Sequence, residues 1–141
     1  MKLYQNKKAR SFVTIMILIA IGALLLRVAI EQIIKITIAY NESNASATLK
    51  MISTALENYA KDHLGAFPAD LSVLIQEDPP YLDRNYILDS PIRGYNYNCP
   101  RLEETGYSCA ALPVKCMFTG KISYIVTTGG LLVSETCAQT E

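Results

Sequence analysis

The 141 residues hold 13 Lys plus Arg against 13 Asp plus Glu, one histidine and four cysteines. The zero net charge conceals an uneven spread: the first ten residues carry Lys2, Lys7, Lys8 and Arg10 and no acid, whereas from Ile36 onward 7 bases face 12 acids (7 − 12 = −5). An acidic outer part offers no basic face to nucleic acid, and no nucleic-acid partner is expected.

Taken in chain order, residues 1–11 form a basic leader. Residues 12–30, FVTIMILIAIGALLLRVAI, are an apolar run of roughly 28 Å as a helix, close to the ~30 Å hydrocarbon core of a bilayer. The following RVAIEQ offers no small-residue cleavage site, so the run reads as a retained anchor rather than a removed signal. Its basic flank puts the N-terminus in the cytoplasm and the acidic part outside. Arg27 and Glu31 stand one turn apart, spaced for an ion pair at the membrane boundary or at a subunit contact.

The only Gly before Gly65 is Gly22, and no Pro precedes Pro68, so one helix is expected over 12–64, with Gly65 as its cap. In its outer half Ala45, Leu49, Ile52, Leu56, Tyr59 and His63 recur at spacings of four and three. They make one apolar stripe, widened by Met51 and Ala55, that needs a cover. Glu42, Lys50, Glu57, Lys61 and Asp62 fall on other faces. His63 reads as a polar finish to the stripe.

Residues 65–141 are the expected head. Asp70 caps a short helix over 71–76, stopped by Pro79 and Pro80, and 83–93 shows no period. Two hairpins follow, over 94–99 with 106–112 and over 121–127 with 131–136. The first is joined by the loop PRLEET and the second by a turn at Gly129 and Gly130. The tyrosines read as packing residues with wet hydroxyls. Cys99, Cys109, Cys116 and Cys137 lack zinc-type spacing and allow three disulfide connectivities. Cys99 with Cys109 and Cys116 with Cys137 is the expected one, since each bridge would close one hairpin. The fold class is α+β: a long N-terminal helix, membrane half plus amphipathic half, packed on a small antiparallel sheet of about four strands.

KKARSFVTIMILIAIGALLL, NASATLKMISTALENYA, AFPADLSVL, PPYLDRNYI and YIVTTGGLLVS together resemble the type IV pilins and type II secretion pseudopilins, over essentially the whole chain. The resemblance implies a non-catalytic subunit of a pilus or pseudopilus whose N-terminal helices pack into a filament core. Its partners would be homologous subunits, the inner membrane, prepilin peptidase and the assembly machinery. Prepilin-type processing and methylation would fall at Ala9, Arg10, Ser11 and Phe12. The chain departs from the family pattern there: Ser11 or Ala9 stands where a Gly precedes the cut, and Met16 or Thr14 where an early Glu belongs. The helix-kinking Pro of the family is also missing. An anchored periplasmic binding module of the same architecture is the alternative.

An enzyme is not expected, because the chain has one His, no nucleophile motif and no phosphate-cradling glycine loop. No cofactor is expected either. Related heads can bind calcium through loop acids, which makes Asp83, Asp89, Glu103 and Glu104 the residues to inspect, although no Asp-x-Asp spacing supports such a site.

Overall fold

The computed structural model describes residues 7–137, with side chains from Ser11 onward. The element order is α1 (Lys7–Asp62), α2 (Leu71–Gln76), β1 (Tyr95–Glu103), β2 (Gly106–Pro113), β3 (Ile122–Thr127) and β4 (Leu131–Thr136). The fold is α+β, a long N-terminal helix and a four-stranded antiparallel sheet of order β1-β2-β3-β4. By internal contacts the chain divides at Ile36/Thr37, within α1. The second compact unit begins at Thr37 and so takes in the amphipathic half of the helix together with the head whose core it forms.

α1 is already helical at Lys7, the first described residue and ahead of the expected residue 12, and it stops at Asp62 rather than 64. Nothing between Ala9 and Phe12 interrupts the helix, since none of these residues lacks a backbone N–H or carries a helix-breaking preference. Its end also differs from expectation. The Gly65 N–H donates to the Ala60 carbonyl at 2.7 Å, closing a six-to-one turn in which Leu64 (φ 58°), not Gly65, takes the left-handed C′ position. Gly65 follows at φ 92°. The Leu64 side chain is fully exposed and makes no contribution to the core.

The stripe is buried as its spacing requires. Ala45, Leu49 and Leu56 are 0% exposed and Ile52 is 1%. Tyr59 is half-buried, stacking on His63 with ring centroids 3.8 Å apart. Met51 is an exception: it is about half exposed, at the margin of the stripe where its sulfur meets the Tyr86 hydroxyl, while Ser53, Ala55 and Ala60 complete the buried face. Against the stripe lie Leu71 and Leu74 of α2, Leu82, Tyr86 and the inner sheet face of Tyr95, Tyr97, Tyr107, Cys109, Ala111 and Val126. Asp70 caps α2 as expected, its carboxylate accepting from the Ser72 N–H at 3.1 Å.

The strands extend the expected ones. β1 runs through the segment expected as loop and ends at Glu103. It can do so because Cys99 and Pro100 together oppose Cys109, between the pairs Asn98↔Ala110 and Arg101↔Ser108. This bulge lies on an edge strand, where a residue without an N–H is tolerated. Cys99 is bonded to Cys109 and Cys116 to Cys137, the expected pairing. Each closed loop contributes about 3 kcal/mol on the chain-entropy account. Gly129 and Gly130, at φ 84° and 75°, make the β3–β4 turn that a side chain would strain.

Replacing Leu64 by Asn, which tolerates the left-handed region, should stabilise the protein by roughly 0.5–1 kcal/mol. Thermal unfolding of the full chain in detergent checks this. A melting temperature unchanged or lowered contradicts the assignment of strain to Leu64.

Candidate functional site

Two surfaces carry the chemistry, one in each unit. In the first, the large apolar side chains from Phe12 to Ile36 are all exposed, between 43% and 68%. They surround the helix rather than striping it. This is the one helix among the described residues long and apolar enough to cross a membrane, and none of its apolar window is buried. Arg27 and Glu31 are brought together: Nε lies 3.5 Å from Oε1, with both side chains mostly in solvent. An exposed i,i+4 pair of this kind is worth only about 0.3–0.5 kcal/mol. Of the candidate processing residues, Ser11 and Phe12 lie on α1 with exposed side chains. Ala9 and Arg10 are helical, and their side chains lie outside the described residues.

In the outer unit the carboxylates expected on free faces of the helix instead border the stripe and hold the head. Glu57 Oε1 accepts from the Gly129 N–H at 2.6 Å and from the Tyr107 hydroxyl at 3.0 Å. Because Tyr107 donates there, Ser53 Oγ must donate to the Tyr107 oxygen, 2.7 Å away. The expectation of wet tyrosine hydroxyls therefore fails at Tyr107, whose hydroxyl is closed off by two helix side chains. It also fails at Tyr95, whose hydroxyl donates to the Ile122 carbonyl at 2.7 Å. That reach exists only because residue 120 is glycine: a Cβ there would collide with the Tyr95 hydroxyl.

Similar fastenings occur at both ends of the helix's outer half. Glu42 Oε1 accepts from the Lys121 N–H at 2.7 Å, and Asn41 Nδ2 donates to the Thr119 carbonyl at 2.9 Å. Arg93 donates to Asn44 Oδ1 and lies over the Tyr40 ring. At the far end the Tyr81 hydroxyl donates to Asp62 at 2.5 Å. Sequence reasoning missed these contacts. The only signal was that Glu42, Ser53 and Glu57 sit on the margins of the stripe, and their partners are tens of residues away.

The loop acids are not brought together. Asp83 accepts from the Tyr86 hydroxyl at 2.8 Å and lies beside Arg84, Glu103 pairs with Arg101, and Asp89 is exposed. Among the described residues no group of three or more His, Cys, Asp or Glu side chains is placed to hold a metal ion. His63 opens onto a shallow cleft with Tyr59, Phe67 and Glu104, and its Nδ1 lies 2.9 Å from the Tyr59 carbonyl. The four cysteines are all bonded.

Electrostatics follow the same geometry. Burial, with the Glu57 carboxylate adding to it, pushes the Tyr107 phenol up to about 12. The Asp62 carboxylate that Tyr81 donates to pushes that phenol up to about 12 as well. Burial raises Tyr86, Tyr95, Tyr97 and Tyr124.

Comparison with protein-family models, with curated proteins and with solved structures returns no match.

Glu57→Ala should destabilise the protein by about 2 kcal/mol, a fall of roughly 10 °C in Tm, since it removes two bonds to a charged acceptor. A change within experimental error would show that Glu57 is merely solvated. The raised phenols also make a pH prediction. A proton held more tightly in the folded chain contributes stability that is whole below the ordinary phenol value of 10 and lost as pH rises toward 12. Melting temperature should therefore fall from about pH 10 upward, and less steeply in Tyr107→Phe. Identical profiles for the two proteins would contradict the role given to Tyr107.

Proposed function

We propose that this chain is a non-catalytic structural subunit of a pilin-like filament, a type II secretion pseudopilus or a type IV pilus, which assembles through its hydrophobic N-terminal helix. One observation carries the reading. A single unbroken helix is apolar on all sides through its first half and buried along one stripe in a disulfide-bonded head through its second. The head consumes only the outer half, so the inner half is left to a bilayer or to other helices. The motif resemblance adds the family.

In this reading the basic start stays on the cytoplasmic side of the inner membrane, by the positive-inside rule. The head faces the periplasm, an oxidising compartment where two disulfides persist. Prepilin peptidase and the assembly machinery are its further partners. The non-catalytic assignment is supported by the head's polar groups being spent on one another, as in the Ser53–Tyr107–Glu57 network.

A specific observation favours a second reading. Without the Gly before the run and the early Glu within it, this chain lacks the buried carboxylate that pairs with a neighbour's new amino terminus in the family. An anchored, unprocessed periplasmic binding module would need neither.

Cysteines replacing both Val28 and Ile36 in one chain should give cross-linked ladders in membranes of producing cells, because stacked helices bring these positions together in successive copies and two thiols let each copy link to two neighbours. A strictly monomeric product overturns the filament reading and leaves the anchored module. Intact mass of the purified chain decides processing separately, since retention of Met1 rules out prepilin cleavage.

A further inference from the structure

The sixteen residues Ser11–Leu26 carry no charge, and the charges that end the run are Arg27, Glu31 and Lys35, spaced four apart with alternating sign. All three are exposed on α1. Residues four apart lie on one side of a helix. A line of plus, minus, plus at this spacing complements itself when one of two parallel copies slides by four residues, about 6 Å at 1.5 Å per residue. Arg27 of one copy then meets Glu31 of the next, and Glu31 meets that copy's Lys35. Two ion pairs form at once, while the apolar run beside them still packs on its counterpart. The pair within one chain, at 3.5 Å and mostly in solvent, holds Arg27 and Glu31 only weakly.

We propose that Arg27, Glu31 and Lys35 form the polar register device between neighbouring copies of this chain, with Arg27 of one copy paired to Glu31 of the next. This rests on the filament reading and names the contact that sets the stagger of its helices. The occupant is a second copy because the charge line matches itself. Apolar helices alone separate one axial step from the next only weakly, since sliding by a turn exchanges one apolar contact for another. Charges desolvated at a contact supply one: opposite signs are favoured there and like signs are strongly penalised.

The test is trans-complementation in the full chain carrying Val28→Cys and Ile36→Cys, which lets each copy link to two neighbours, produced in cells and cross-linked in membranes. Ladder yield in Arg27→Glu alone and in Glu31→Arg alone should each fall by about tenfold or more, because every copy then presents like charges to its neighbour. Producing the two variants together should restore it, since the carboxylate introduced at position 27 of one chain meets the guanidinium introduced at position 31 of the other. The restored cross-links should join unlike chains. Linked Cys99–Cys109 and Cys116–Cys137 peptides in each variant report an intact head. If the single variants form ladders as well as the parent, the proposal fails. It fails equally if mixing restores nothing, because Arg27 and Glu31 then act only within their own helix or toward the lipid headgroups. If the parent itself forms no ladder, the filament reading falls and this proposal with it.

Discussion

The structure depends on one constraint: a single helix must dispose of apolar surface in two incompatible ways along its length. Through Ile36 its large side chains are exposed on every side. From Ala45 onward the same helix narrows its apolar surface to one stripe, which the sheet and α2 bury almost completely. The head has no core without that stripe, because its sheet has one apolar face and only a six-residue helix of its own to set against it. The helix is therefore structural for the head at one end and available for a bilayer or for neighbours at the other.

The polar contacts explain how a unit with so small a sheet holds a definite arrangement. Hydrophobic burial supplies drive but little register, since a sheet can shift over a smooth apolar stripe at modest cost. Carboxylates on the stripe's margins remove that freedom. Glu42 takes the backbone N–H of Lys121, just ahead of β3, and Glu57 takes that of Gly129 in the turn beyond it. Both ends of one strand are thereby indexed to the helix. Tyr107, buried beside Ser53 and Glu57, ties β2 to the same turn of α1.

Much of the architecture was legible in the sequence because it is periodic. The stripe from Ala45 to Tyr59, the cap at Asp70, the two hairpins and the disulfide pairing all follow from spacing, and each is present. What escaped was contact over long separation and local backbone choice. Glu57 looks like any surface acid until Gly129, 72 residues later, is known to lie above it. Pro100 argued for a loop, and only the bulge opposite Cys109 lets an edge strand pass through it. Gly65 invited the cap assignment by residue type, yet the turn geometry gave the left-handed position to Leu64. For the candidate surface, the Arg27–Glu31 spacing was readable directly, because an i,i+4 pair is a local property.

The ladder of fastenings along the outer helix has a mechanical meaning. Asn41 and Glu42, Ser53 and Glu57, then Asp62 grip the head at three successive levels of one rod. A pull delivered along α1 would reach these levels together, as shear across several short bonds, rather than opening them one after another from an end. The two disulfides keep the gripped segments from being drawn out of the sheet behind them. The second half of the helix is thus a tang set in a handle, fitted to resist load applied along its own axis.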